Sequence, residues 1–139
     1  MTSKAPSPWL HGAIVAGLLY VSIGYGSAAI DPSVPDRGRF AWRLTAWALS
    51  AAVFAAHIGY ERVRSGAAPR ALATHVAAGV ALGSFLLAGA AMAHAATVAE
   101  HAPYWKFMLA LVLWPVITTL PAFVVALAAG AGLAALRHD

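Results

Sequence analysis

The chain has no cysteine, so disulfides, thiol redox chemistry and cysteine-ligated metals are excluded. Charge is scarce: Asp, Glu, Lys and Arg together make up 10% of the residues, and only five of those are acidic. None of them falls in the middle of an apolar run, which argues against an ion-coupled pump or transporter, whose pathways need ionisable groups inside the bundle. No polar stretch is long enough to build a soluble domain. His-Glu-x-x-His, Gly-x-Ser-x-Gly and Gly-rich phosphate-loop patterns are absent, as are lipidation motifs. The net charge of +4 and pI near 10 would suit nucleic acid in a soluble protein. Here the nine Lys and Arg gather at the ends of apolar runs, where they read as topology signals and headgroup contacts, so nucleic acid is not expected as a partner.

What remains is hydrocarbon. The chain is 61% hydrophobic with a mean hydropathy of +0.74, which makes lipid the natural solvent. A bilayer core of about 30 Å needs about 20 apolar residues per helix, and such runs occur at 9–30, 41–60, 73–98 and 105–136. The expected fold is all-α: residues 1–139 form one integral membrane domain, a four-transmembrane-helix up-down bundle with both termini on the same side. Lys4 before an apolar run, with Gly26-Ser27-Ala28-Ala29 after it, has the outline of a secretory signal. The run is long for that role, which favours a first membrane helix. Lys4, Arg62, Arg64, Arg70 and Arg137 fall on the side of the termini, and Arg37, Arg39, Arg43 and Lys106 on the other. Asp31 and Asp36 offset the second group, and the connection at 61–70 is the most basic. Both termini are therefore expected in the cytoplasm and the bundle in a bacterial inner membrane.

Pro8 opens the first run, and the Asp- and Pro-rich stretch at 31–38 closes it. Trp9, Trp42, Trp105, Tyr25, Tyr60 and Tyr104 lie towards run ends as interfacial anchors, and only Trp114 is read as deep. Helices in lipid associate through small residues that let backbones approach. Gly79 and Gly83 form a GxxxG pair, extended by Gly89 and Ala93, and Gly12, Ala16, Gly17, Gly24 and Ala28 thin the first helix. Helices one and three should therefore be central, with a docking face for another subunit as the alternative use of the same residues. In helix four, Pro115 and Pro121 free the carbonyls of Leu111 and Ile117. A kink is expected there, with the hydroxyls of Thr118 and Thr119 satisfying the freed groups. Aligning the two halves through His11 and His75 pairs helices one and three, but too few identities accompany the match to define a repeat.

The histidines are the residues able to carry coordination chemistry. His11 starts helix one, His57 ends helix two and His75 starts helix three, so an up-down bundle brings all three to one face. His57 and Glu61 are four apart on one helical side. His11, His57, Glu61 and His75 form a candidate metal set, and two of the histidines are candidate ligands for haem b or another tetrapyrrole. The plainer reading is three amphipathic imidazoles at a water boundary. His94, near Ala90, Ala91 and Ala93, has room beside it for a flat macrocycle or pairs with His101 at the interface; His138 is in the tail.

The expected function is that of a small, non-catalytic accessory or structural subunit of a larger respiratory or photosynthetic membrane complex, or of a homo-oligomer. Its partners are membrane lipid and other membrane subunits or further copies of itself. The alternatives are a haem- or pigment-binding protein using His57, His75, His11 or His94, and a small oligomeric channel or exporter.

Overall fold

The computed structural model describes residues 7–29, 35–98 and 104–136, nearly all of them helical and with no strand among them. The four α-helices are α1 (Pro8–Ala28), α2 (Asp36–Tyr60), α3 (Pro69–Val98) and α4 (Tyr104–Ala135). At about 1.5 Å per residue each measures about 30 Å or more. Three contain segments long and apolar enough to cross a membrane, Pro8–Ser27, Pro69–Thr97 and Trp105–Ala135, with mean hydropathies of 1.3, 2.0 and 2.2.

α2 is the exception. It starts ahead of the apolar run at 41–60, and its first turns carry Asp36, Arg37, Arg39 and Arg43. Asp36 sits at the positive end of the helix dipole and pairs with Arg39 one turn later. Hydropathy reports the stretch that hydrocarbon solvates, and a polar first turn is invisible to it.

The connection after α2 is also shorter than the basic stretch at 61–70 suggested. The helix continues into a π-helical turn, Glu61–Ser65, and Gly66 then stops it in the left-handed region at φ 56°. Only 66–68 lie outside helix before Pro69 opens α3, the position where a missing N–H costs nothing.

α3 lies between α1 and α4. Along α1 and α3 the contacts advance together: a Cβ on Gly17 would stand 3.0 Å from Leu82 Cδ2 and 3.2 Å from the Gly79 carbonyl, and one on Gly24 would meet Leu87 at 2.6 Å. These two helices therefore run in the same direction with their backbones almost touching. α4 runs the opposite way along α3, with Gly130 against Pro69 and Leu72 at one end and Leu111 near Gly89 at the other. α2 is antiparallel to α1, from the Trp42 indole N–H donating to the Gly26 carbonyl at 3.4 Å to Tyr60 beside Gly12. The apolar core gathers at one end, where Ile58 of α2 meets Leu72, Ala73 and Val76 of α3 and Ala126 of α4.

Two expectations need correction. Helix four is continuous through both prolines, but Thr118 Oγ1 donates to the carbonyls of Trp114 and Pro115, not to those freed at Leu111 and Ile117. A threonine hydroxyl in a helix reaches back three or four residues, which from Thr118 misses both. The Thr119 hydroxyl is buried without a partner. Trp114 is not the one aromatic far from a run end, because Trp47 is also remote from the α2 termini and is 79% exposed.

Candidate functional site

Where α1 and α3 begin and α2 ends, a buried carboxylate collects partners. Glu61 is wholly buried in the π-helical turn. Its Oε2 lies 2.7 Å from His75 Nδ1 and 3.0 Å from Ser65 Oγ, whose hydroxyl is shared between this oxygen and the Glu61 backbone carbonyl at 2.5 Å. With the carboxylate ionised, His75 Nδ1–H is the donor. The other face of the pair is fixed by Trp9, whose ring stacks on the His75 imidazole with centroids 4.7 Å apart and planes 12° from parallel. Three elements are tied by one carboxylate and one imidazole: α1 through Trp9, the π-turn through Glu61 and Ser65, and α3 through His75.

The satisfaction is incomplete. Glu61 Oε1 is buried and has no hydrogen-bond partner. It stands 3.3 Å from where a Cβ on Gly12 would be, and Tyr60 Cε1 is 3.1 Å from the same point, so the absence of a side chain at residue 12 is what admits the turn against α1. His57 is 5% exposed, and neither ring nitrogen has a partner. Its Cε1 edge rests on Gly79, where a Cβ would come within 3.0 Å. Unpaired polar atoms shut away from water are costly, so their retention calls for an explanation.

His57 also lines a cleft of about 620 Å³ between α1 and α2. His11, Gly12 and Tyr60 line its end near the buried carboxylate; Val15, Leu19, Ile23, Leu49 and Val53 line the remainder. A second cleft, of about 380 Å³, lies towards the other end of α3 and is lined by Gly24, Tyr25, Leu87, Ala90, Ala91 and His94.

The structure thus divides the residues singled out in the sequence. Glu61 and His75 are bonded to each other, His57 stands on a cleft wall with no polar contact, and His11 is an exposed residue on the same wall. Among the described residues, no group of three or more His, Asp and Glu side chains is spaced to hold a metal ion. His94 is exposed beside the second cleft. Gly12, Gly24, Gly79 and Gly83 lie at close helix contacts, whereas a Cβ on Gly89 would meet only Leu111, at 3.9 Å. Lys4, Asp31, His101, Arg137 and His138 are outside the described residues.

Sequence reasoning treated Trp9 and Tyr60 as interfacial anchors and did not single out Ser65. Trp9 and Ser65 both join the Glu61–His75 pair, and Tyr60 packs beside it. The available signal was the spacing of Glu61 and Ser65, four apart, with a hydroxyl able to reach back. Arg62, expected only as a topology signal, donates from Nη2 to the Leu133 carbonyl at 3.4 Å, placing a cation by the last turn of α4, where the helix dipole favours it.

No family model, curated protein or solved structure matches the chain.

Proposed function

We propose that this chain is a small, non-catalytic integral membrane protein that serves as an accessory or structural subunit of a membrane assembly, either with other subunits or with copies of itself. The four helices all cross the bilayer in this reading, α2 with its polar first turns at the interface, and both termini lie on the cytoplasmic side of a bacterial inner membrane. Their alternating directions, set by the pairings of α2 with α1 and of α4 with α3, support the arrangement.

One observation carries the functional reading: the polar side chains at the converging helix ends tie helices together. Glu61, Ser65, His75 and Trp9 spend their polar and ring contacts on one another, and Arg62 caps α4. The longest helix meanwhile presents Val112, Ile117, Leu120 and Val124 outward, and none of its most apolar 18-residue window is buried. Such a face is solvated by lipid or by another helix, and that choice defines the assembly.

The test is extraction of the full chain from its native membrane in a mild detergent, with mass measurement and absorption spectroscopy on the intact particle. A particle heavier than the 14.3 kDa chain by further protein subunits is the expected result. A monomer would overturn the reading, and a stoichiometric Soret or chlorin band would replace it with a pigment-binding one.

A further inference from the structure

Small residues on two facing helices open the cleft between α1 and α2. Gly12 and Ala16 stand on one wall and Ala52 and Ala56 on the other, and longer aliphatic side chains continue both. The lining is almost wholly apolar. The unpaired nitrogens of His57 do not alter this, because they are buried and the Cε1–Nδ1 edge of the ring lies against Gly79 of α3. An occupant is therefore hydrocarbon along the length of the cleft.

The dimensions select among hydrocarbon occupants. From His11 to Ile23 the cleft follows α1 for about 18 Å, close to the roughly 15 Å depth of one leaflet's hydrocarbon. A volume of about 620 Å³ spread over that length gives a mean cross-section of about 34 Å². A helix with its side chains is at least about 10 Å across and needs about 80 Å². An extended hydrocarbon chain, about 5 Å across at carbon contact distance, needs about 20 Å². One chain fits, and a helix of a neighbouring subunit does not.

The head is specified outside the cleft. α2 continues into the π-helical turn, and one turn beyond the lining residue Tyr60 the wider winding reaches Arg64. Ser65 is bonded to Glu61, and Arg62 to the Leu133 carbonyl, whereas Arg64 is exposed and has no bonded partner among the described residues. The acid at this end, Glu61, is buried and committed to His75, so the exposed formal charges here among the described residues, Arg64 and Arg70, are both cationic. A guanidinium beyond the end of an apolar slot matches a phosphodiester above an acyl chain, and two arginines favour a headgroup of net negative charge. We propose that the cleft holds one acyl chain of an anionic phospholipid from the leaflet at the π-turn, with its phosphate at Arg64. The proposal rests on the membrane placement of the helices and goes beyond the subunit reading by assigning the chain a lipid of its own.

The test loads the full chain, delipidated in a mild detergent, with dipalmitoyl phosphatidylglycerol or dipalmitoyl phosphatidylcholine and counts bound lipid by native mass spectrometry. We expect about one phosphatidylglycerol per chain, with phosphatidylcholine weaker by about fivefold or more. Arg64→Gln should lower the affinity for phosphatidylglycerol about fivefold, the worth of one arginine at an anionic headgroup. Ala52→Phe, which adds bulk at an exposed lining position, should remove the retained lipid and leave helix content and unfolding temperature unchanged. Equal retention of the two lipids, or retention that survives Ala52→Phe, would overturn the proposal. So would a protein dimer that disperses in Ala52→Phe, which would give the cleft to a second chain. Flotation with phosphatidylcholine vesicles separates the two readings: a chain that does not float sinks both, and one that floats but retains no phosphatidylglycerol sinks the lipid site alone.

Discussion

The two ends of α3 are packed by different means. Its first half is surrounded: Leu72, Ala73 and Val76 are completely buried among α2 and α4, and His75 is held from two sides by Glu61 and Trp9. In its second half Phe85, Leu86 and His94 are exposed, and Gly89 has only a distant neighbour. Both halves are alanine- and glycine-rich, so small residues alone do not produce tight packing. The difference is the third helix. At the first end α2 closes onto α3 through Ile58, with a buried polar tie beside it, whereas at the other end the contact between Trp42 and Gly26 joins α2 to α1.

Substitutions can break this contrast, and the largest effect belongs to the polar tie. Glu61→Ala removes the acceptor of His75, while Ser65 keeps the carbonyl of residue 61, and should cost about 3 kcal/mol, the upper end of the cost of leaving a buried donor without its partner. Reversible unfolding in mixed micelles measures it, and a loss under about 1 kcal/mol would show that the tie does not distinguish the ends. Glycines within α3 sharpen the contrast further. In Gly83→Ala the new Cβ meets Tyr20 Cβ at 2.8 Å and the Gly17 carbonyl at 3.1 Å, so overpacking should cost about 1–3 kcal/mol. In Gly89→Ala the nearest atom is 3.9 Å away, and relief of glycine's backbone entropy should stabilise by about 0.5–1 kcal/mol. Opposite signs in the same assay are the expected result. Smallest of all is His94→Ala, an exposed position, where the change should stay within about 0.5 kcal/mol.

The long apolar runs made the helices legible, because lipid demands uninterrupted hydrocarbon and leaves a direct mark on composition. The close approach of α1 and α3 was legible in Gly17, Gly79 and Gly83 for a similar reason: a missing side chain is a statement about space. The polar first turn of α2 was not, since Asp36 and Arg39 satisfy one another and interrupt the hydropathy signal. The histidines show the sharper limit. Position along a helix gives depth, so His57 and His75 could be assigned to one layer, but rotation about the axis depends on neighbours that only the fold supplies. His75 consequently finds Trp9 and Glu61, while His57, in the same layer, turns to Gly79 and meets no polar group.

The π-helical turn at Glu61–Ser65 imposes a constraint of chain length. Wider winding accommodates the extra residue that a π-turn introduces into a helix, and removing one residue would rotate the downstream chain by about 100°. Ser65 and Gly66 would then leave the positions from which the hydroxyl reaches Glu61 and the chain turns into α3. Insertions and deletions should consequently be tolerated within 67–68 far better than within 61–66. A chain that keeps every apolar run intact but loses one residue from this turn would retain its affinity for lipid and lose the register between its halves.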